Sequence, residues 1–187
     1  MLCGAAEAAI CRRCLAEDAA PPLPPPLHLD RCTALLDYHL ARSVVTKLKN
    51  GQVRALVGPL ATALAHRAHA PPGAVVTWAP TTPGRARRRG FAQAELLARA
   101  LARRWGLPAR ALLRRVPHTA QTGRTADDRL RTPRFRVAGR VPSVVVLVDD
   151  VVTTGATLSS AARTLRGAHA TEVIGVALAQ ADRQPAR

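Results

Sequence analysis

Apolar residues along this chain fall into short runs and longer periodic stretches, separated by Gly-, Pro- or Arg-rich connections. The short runs are rich in β-branched residues and predict buried strands at Ala74–Trp78, Val145–Val148 and Glu172–Ala179. Weaker strand patterns occur at Ala111–Val116 and Phe135–Val137. Apolar residues at three- and four-residue steps predict helices from Thr33 to His69, interrupted at Asn50-Gly51, and over Ala94–Trp105 and Leu158–Arg166. Strands that alternate with helices predict an α/β fold with a mostly parallel sheet flanked by helices.

The most informative stretch is Val144–Leu158, where an apolar strand is followed by two acids and a small, hydroxyl-rich turn. Asp149 and Asp150 stand where the strand should end, and the helix begins after Thr157. An open α/β sheet builds anion sites at this position. Gly155 lets the backbone approach a phosphate closely, whereas the acids would repel phosphate but accept hydrogen bonds from sugar hydroxyls. The combination predicts a ligand that contains ribose and a 5-phosphate.

This stretch closely resembles the signature of type I phosphoribosyltransferases, the enzymes and relatives that bind phosphoribosyl pyrophosphate (PRPP). The resemblance implies that Asp149 and Asp150 meet the ribose hydroxyls and that Mg²⁺ accompanies PRPP. It also implies that the 5-phosphate is wrapped by a loop of five residues, namely Thr153, Thr154, Gly155, Ala156 and Thr157. Asp150 is the only candidate general base, with holding the sugar as its alternative role. An ordinary buried strand before a capped helix would predict neither the adjacent acids nor the hydroxyl spacing.

The connection after Ala74–Trp78 resembles a second element, from the ComF/GntX family associated with DNA uptake in competent bacteria. The matching residues are Pro80, Arg85, Arg89, Gly90, Phe91, Gln93, Leu97 and Ala98, while Ala92 stands where the family has Asn. The resemblance implies that this loop holds the pyrophosphate, through Ala79, Pro80, Thr81 and Thr82 with Arg85 and Arg89 adding charge. For Arg87 and Arg88 a solvated basic face is an equal alternative.

Residues 117–134 contain many loop formers and little apolar surface. They correspond to the family's mobile loop, which closes over the ligand and is matched here by Arg115, Gln121 and Arg129. The match is incomplete, since Thr132 stands where the family has Asn. Two functions therefore stay open: a phosphoribosyltransferase that releases pyrophosphate, or a non-catalytic competence factor that binds single-stranded DNA and uses the PRPP site as a sensor or not at all.

The basic charge is concentrated in one part of the chain. The net charge is +16, and sixteen of the 28 basic residues lie between Arg85 and Arg140, against three acids. Pyrophosphate recognition accounts for a few of them, so contact with single-stranded DNA or the DNA-uptake machinery is an alternative. A third explanation is GC-rich coding, since all but two of the basic residues are arginine. Aromatic residues, at 3%, are too scarce for a base-stacking platform.

Cysteines predict a metal site near the amino terminus. Cys11-x-x-Cys14 is half of a zinc-ribbon pattern, and Cys3 is followed by Gly as in the other half, so these three thiolates are candidate Zn²⁺ ligands. The missing ligand is explained by a start further upstream, an eroded knuckle or Cys32, although Cys32 alone is more typical of a small buried apolar residue. We expect a zinc-ribbon-like segment with an extended Pro-rich linker over residues 1–32, and a phosphoribosyltransferase-like domain over residues 33–187.

The sequence also bears on the compartment. No apolar run approaches the length of about 18 residues that a membrane span requires. The amino terminus lacks the charged and then apolar pattern of a secretory signal. We therefore expect no membrane insertion and a cytoplasmic location.

Overall fold

The computed structural model describes residues 20–21, 24–37, 53–81, 92–117 and 133–181. Within these ranges the chain forms six strands and three helices. In chain order they are strand β1 (Arg31–Asp37), helix α1 (Val53–Arg67), strand β2 (Val75–Trp78), helix α2 (Gln93–Trp105), strand β3 (Leu113–Val116), strand β4 (Arg134–Val137), strand β5 (Val144–Val152), helix α3 (Ala156–Gly167) and strand β6 (Glu172–Gln180).

Four strands form a parallel sheet in the order β1-β6-β5-β2. Strand β5 occupies an inner position, and its residues Val145–Val148 have no exposed surface. Their neighbours in the sheet are Val75–Trp78 of β2 and Val173–Val176 of β6. The predicted α/β fold with a mostly parallel sheet is therefore confirmed, and the carboxyl ends of all four strands meet at one edge.

Both faces of the sheet are covered, which explains why β5 is an unbroken apolar run. Val146 and Val148 pack with α1 and α2 on one face. Val145 and Leu147 pack on the other face with α3 and with Phe135, which belongs to a separate antiparallel sheet of β3 and β4. Because side chains alternate along a strand, two apolar layers require apolar residues at consecutive positions.

The first strand corrects an expectation from the sequence. The periodic pattern from Thr33 onward predicts a helix, whereas the structure has β1 there, paired with β6 from Arg31 opposite Ile174 to Asp37 opposite Gln180. The outer edge of β6 needs partners for its backbone groups, and this long-range pairing outweighs a local pattern. Residues 38–52, where the first predicted helix continues, lie outside the described ranges, while α1 confirms the second.

The segment before β1 also differs from expectation. Instead of an extended linker that stands apart, residues 24–30 pack against the domain: Leu29 is buried, and the N–H of Asp30 donates to the carbonyl of Val173 (3.0 Å). Further upstream, Ala20 is buried and its N–H donates to the carbonyl of Leu35 (3.2 Å). Strand β1 extends across the predicted boundary between residues 32 and 33. Apolar groups of the Pro-rich segment thus contribute to the core.

The described helices are short. Helices α1, α2 and α3 contain 15, 13 and 12 residues, respectively. In the part of the chain that the structure describes, no helix has both the length and the apolar character needed to span a bilayer.

Candidate functional site

A cavity of about 210 Å³ opens at the carboxyl edge of the sheet, beside the ends of β2 and β5. Four parts of the chain line it: the loop after β2, the start of α2, strand β3, and the end of β5 with the following turn. The lining residues are Ala79, Pro80, Thr81, Ala92, Gln93, Ala94, Arg115, Asp149, Asp150, Val151 and Thr157. The fold therefore brings together residues from three of the stretches that the sequence analysis singled out.

The acid pair lies within β5 and not after it, which corrects the expected end of the strand. Strand β5 continues to Val152 because β6 supplies partners as far as Gln180. The N–H of Asp150 donates to Oδ1 of Asp149 (2.9 Å), and the N–H of Val151 donates to Oδ1 of Asp150 (2.9 Å). Asp149 is buried at 7% exposure, whereas Asp150 is half-buried. The strand therefore holds the two carboxyl groups in different environments.

Burial dominates the electrostatics of Asp149. It raises the pKa of this carboxyl well above its usual value, and the neighbouring Asp150 carboxylate adds to the shift, while the Arg115 guanidinium acts in the opposite direction. A hydroxyl that donates to the carboxylate, or a cation beside it, would favour the ionised form. The buried acid is thus suited to a ligand that brings donors or positive charge with it.

Arg115 lines the same cavity as the acid pair and acts electrostatically on Asp149. It lies on β3, within the strand predicted over Ala111–Val116, and pairs with Phe135 of β4, while its assignment to the family's mobile loop stays a prediction. Its guanidinium lies 5.9 Å from the centre of the Phe135 ring, a cation–π contact that orients the side chain. A positive group is therefore presented to the cavity by a strand rather than by a loop.

The turn from β5 into α3 needs glycine at one position. Gly155 has φ of +76°, in the left-handed region, and stands immediately before the first residue of α3. No side chain caps this helix, although the Thr154 hydroxyl accepts a hydrogen bond from the N–H of Ala156 (3.3 Å). Thr157 lines the cavity with the acids, whereas Thr154 and Ala156 line a neighbouring depression and Thr153 is exposed. The turn is thus shared between two concave surfaces.

The predicted pyrophosphate loop follows β2 into the same cavity. The N–H of Ala79 donates to the carbonyl of Val148 (2.9 Å), which continues the pairing of β2 with β5, and Pro80 and Thr81 then line the cavity. The remaining predicted residues of this loop and of the mobile loop lie outside the described ranges: Thr82, Arg85, Arg89, Gln121 and Arg129. Their roles stay predictions.

The start of α2 is a feature that the sequence analysis missed. Ala92–Ala94 line the cavity, and among the described residues no side chain caps the helix, so its first backbone N–H groups and the positive end of its dipole lie at the cavity. The signal was present in the sequence, because Ala92-Gln93 at a predicted helix start offers no usual capping residue. Such a helix end favours an anion.

The chemistry of the acid pair fits Mg²⁺ that arrives with a phosphorylated ligand. Mg²⁺ commonly binds one or two carboxylates together with substrate phosphates and water. Asp149 and Asp150 would supply the carboxylates, and no group of three or more metal-binding side chains occurs within the described ranges. The acids therefore suit a shared ion better than a site built wholly from protein.

The predicted Zn²⁺ ligands Cys3, Cys11 and Cys14 lie outside the described residues. Cys32 is described and lies on β1, packed against the core, where a Cβ on Gly175 would approach its Sγ to 3.0 Å. Burial, with the negative charge of Asp149, raises the pKa of Cys32 to about 11. Because zinc binds the thiolate, the raised pKa favours Cys32 as a small apolar packing residue, which is half-buried in the structure.

Comparison with known proteins identifies the family. The family model described as phosphoribosyl transferase domain matches residues 88–187, more than half of the chain. The chain therefore belongs to the phosphoribosyl transferase domain family, as the acid pair and the turn after it predicted. It is also 37% identical over 102 residues to competence protein F of Haemophilus influenzae, which confirms the predicted likeness to ComF. That match covers 49% of this chain and 44% of the relative, so the chain spans less than half of the relative's length.

Proposed function

We propose that this chain binds PRPP together with Mg²⁺ in the cavity beside β2 and β5. The observation that carries the proposal is that one cavity combines two carboxyl groups, an opposing arginine and an uncapped helix start. PRPP needs this mixture, since it has ribose hydroxyls that donate hydrogen bonds and phosphate groups that require positive partners.

In this proposal the sugar and its 5-phosphate bind along β5 and the turn that follows. Asp149 and Asp150 accept hydrogen bonds from ribose hydroxyls, which offsets the cost of ionising the buried Asp149. The 5-phosphate receives backbone N–H groups at the start of α3 and the hydroxyl groups of the Thr153–Thr157 turn. The two ends of the ribose are therefore recognised by opposite kinds of partner.

The pyrophosphate takes the positive side of the cavity. Its partners are the backbone of Ala79–Thr81, the start of α2 and the guanidinium of Arg115, with Arg85 and Arg89 as predicted additions. Bound Mg²⁺ would supply the remaining charge neutralisation on the pyrophosphate oxygens. These groups stabilise negative charge as it develops on a departing pyrophosphate.

The reaction that fits this arrangement is displacement at C1 of the ribose. A nitrogen nucleophile forms a C1–N bond while the C1–O bond breaks, and pyrophosphate leaves with the electron pair. The proton lost by the nitrogen passes to Asp150 or to water, since Asp150 is half-buried at the edge of the cavity. The protein contributes mainly binding and electrostatic stabilisation.

Calorimetric titration of PRPP, with and without Mg²⁺, tests the site. Wild-type protein should bind only with Mg²⁺ present, and the double substitution Asp149→Asn with Asp150→Asn should abolish binding because neutral amides neither attract the cation nor match carboxylate acceptors. Glu172→Gln, at the opposite edge of the same sheet, is the matched control and should bind normally. Unchanged affinity in the double variant would contradict the site.

A pyrophosphate-release assay with a panel of purine and pyrimidine bases tests the reaction. Release that depends on one base would make the chain a phosphoribosyltransferase and identify its acceptor. Binding without release for any base would make PRPP a regulatory ligand instead.

A second function, binding of single-stranded DNA in competence, is supported by the outer face of the β3–β4 sheet. Arg114, Arg134 and Arg136 are exposed there, and Arg114 lies directly opposite Arg136 in the strand register. The structure gives none of these three an ion pair with another described residue. Because like charges across a strand pair destabilise a sheet, an anionic partner such as a nucleic acid would relieve the repulsion.

Filter binding of labelled single-stranded DNA over a salt series tests this second function. Retention should fall steeply with salt. The binding constant obtained from it should decrease by about 0.7 log units per log unit of salt for each phosphate neutralised. Absence of retention at low salt, or a flat salt response, would exclude it. The likeness to competence protein F of Haemophilus influenzae is what connects this second function to competence.

A further inference from the structure

Pro26 lies directly against the turn between β5 and α3. Its ring is buried, whereas its neighbours Pro25 and Leu27 are exposed, Leu27 at 76%. A Cβ placed on Gly155 would be 2.9 Å from Cγ and 3.0 Å from Cβ of Pro26, closer than side chains tolerate. Glycine is therefore needed at position 155 for two reasons. It adopts the left-handed backbone conformation, and its lack of a side chain lets the proline ring reach the turn.

A tight turn presents this proline. The N–H of Leu29 donates to the carbonyl of Pro26 (3.1 Å), and His28 at the third position has φ of +70°. A left-handed third residue is what a type II turn requires. Leu29 is buried near Gly175 of β6, so both ends of the turn are anchored while Leu27 and His28 form its exposed tip.

Arg166 attaches the turn of Pro26–Leu29 to α3, the helix that follows Gly155. Arg166, near the end of α3, donates from one terminal nitrogen to Oδ2 of Asp30 (2.6 Å) and from Nε to the carbonyl of His28 (3.0 Å). Oδ2 of Asp30 also accepts the N–H of Val173 (2.7 Å), at the start of β6. The proline turn is therefore attached to the β5–α3–β6 unit at its helix and at its last strand.

We propose that Pro26 is a positioning residue for the phosphate turn, which holds Gly155 and the first N–H groups of α3 in the arrangement that receives the 5-phosphate. The proposal rests on the function proposed above, in which this turn binds that group. A proline ring in a hydrogen-bonded turn is a rigid support that loses little conformational entropy on folding. Contact with the proline ring keeps the donors ordered before the ligand arrives, which is how preorganisation increases affinity.

This role predicts selectivity among ligands. Ribose 5-phosphate and PRPP use the turn that Pro26 supports, so their affinity should depend on the proline. Pyrophosphate with Mg²⁺ binds at Ala79–Thr81 and the start of α2 in the proposed arrangement, on the other side of the cavity, so its affinity should not. A purely structural role of Pro26 would weaken all three ligands alike.

Pro26→Ala tests the proposal, with Leu27→Ala as the matched control because Leu27 is adjacent and exposed. Calorimetry with each ligand should show the Kd of ribose 5-phosphate and of Mg²⁺-PRPP raised about two- to fivefold in Pro26→Ala, with the Kd of Mg²⁺-pyrophosphate unchanged. Leu27→Ala should match wild type for all ligands. Arg166→Lys loses the forked contact with Asp30 and the His28 carbonyl, and it changes no residue of the Thr153–Thr157 turn, so it should repeat the selective loss.

The outcomes separate this inference from the function on which it rests. If wild-type protein binds neither ribose 5-phosphate nor PRPP, the proposed function fails and the role of Pro26 fails with it. If wild type binds both, and Pro26→Ala and Arg166→Lys bind every ligand as wild type does, only the role of Pro26 is overturned. Equal losses for pyrophosphate and for the 5-phosphate ligands would also overturn it, because they would indicate general destabilisation.

Discussion

The two faces of the small β3–β4 sheet use the same residue type for different purposes. Arg115 and Arg114 are adjacent in β3, yet Arg115 turns inward over the Phe135 ring and lines the cavity with the acid pair. Arg114 turns outward, is exposed and lies opposite Arg136. The pleat of the strand alone separates them, since consecutive residues point to opposite faces.

This difference shows that charge acquires a function from its surroundings. The inner arginine has carboxyl groups and a ring nearby, so it is oriented and part of a ligand site. The outer arginines form no ion pair with another residue that the structure describes, which suits a loosely ordered polyanion. The basic residues behind the net charge of +16 therefore belong to at least two groups, one in the cavity and one on the outer face, and composition does not distinguish these groups. The following changes should separate the two faces by experiment.

The largest effect should come from Arg115→Ala. Loss of a charge-assisted contact with pyrophosphate should weaken Mg²⁺-PRPP binding by about ten- to a hundredfold in calorimetry. Arg114→Ala is the matched control from the outer face and should leave the PRPP Kd unchanged. Equal effects of the two substitutions would show that the faces are not distinct and that only net charge matters.

Substitutions on the outer face should change DNA binding and leave PRPP binding unchanged. Replacing Arg114, Arg134 and Arg136 together by Gln should reduce the salt dependence of single-stranded DNA binding by about two log units per log unit of salt. The PRPP affinity should stay at the wild-type value. In the control variant, Gln replaces Arg103 and Arg104, which lie on α2 at the other face of the main sheet. If the control lowers the salt dependence of DNA binding as much per removed charge as the triple variant does, the β3–β4 face has no special role in DNA binding.

A smaller effect concerns stability at the inner face. Because burial raises the folded-state pKa of Asp149, the contribution of this carboxyl to stability is most favourable below its unfolded-state pKa and is lost as pH rises through its folded-state pKa. Asp149→Asn avoids this loss and can still accept the N–H of Asp150. Without ligand, it should therefore raise the unfolding free energy at pH 7 by about 1–2 kcal/mol, a shift of a few degrees in Tm.

Calorimetric melts over a pH series check this prediction. The gain from Asp149→Asn should shrink as the pH is lowered toward the unfolded-state pKa, below which the wild-type carboxyl is protonated in both states. Asp150→Asn is the control and should stabilise less because its side chain is half-buried. A gain that does not depend on pH would mean that ionisation of Asp149 is not its cause.

The smallest effect should come from the ring beneath Arg115. Phe135→Leu keeps an apolar side chain at a buried position but removes the cation–π contact, so the PRPP Kd should rise about two- to fivefold. Phe135→Tyr keeps the ring and should bind PRPP as wild type does. If both variants bind equally well, the ring does not orient Arg115.

Most elements of the core could be predicted because their apolar patterns match their burial. The apolar run Val145–Val148 predicts a strand covered on both faces, and Glu172–Ala179 and Ala94–Trp105 predict β6 and α2 to within one residue. The candidate site was predictable where its residues are contiguous, as in the acids and turn of Val144–Leu158. The prediction fails where a residue's secondary structure depends on a partner distant in sequence. Thr33–Asp37 is a strand and not the predicted helix because it pairs with β6.

The sequence by itself therefore determined the family, the alternation of strands and helices, and the kinds of chemical group available for a phosphorylated sugar. These depend on local periodicity and on short motifs that keep their meaning without a partner. Only the tertiary structure decided that Asp149 is buried and Asp150 half-buried, that Arg115 shares a cavity with the acids while Arg114 is exposed, and that Pro26 lies against Gly155. Each of these depends on which surfaces meet across the sheet, and one residue of strand register exchanges the inner face for the outer.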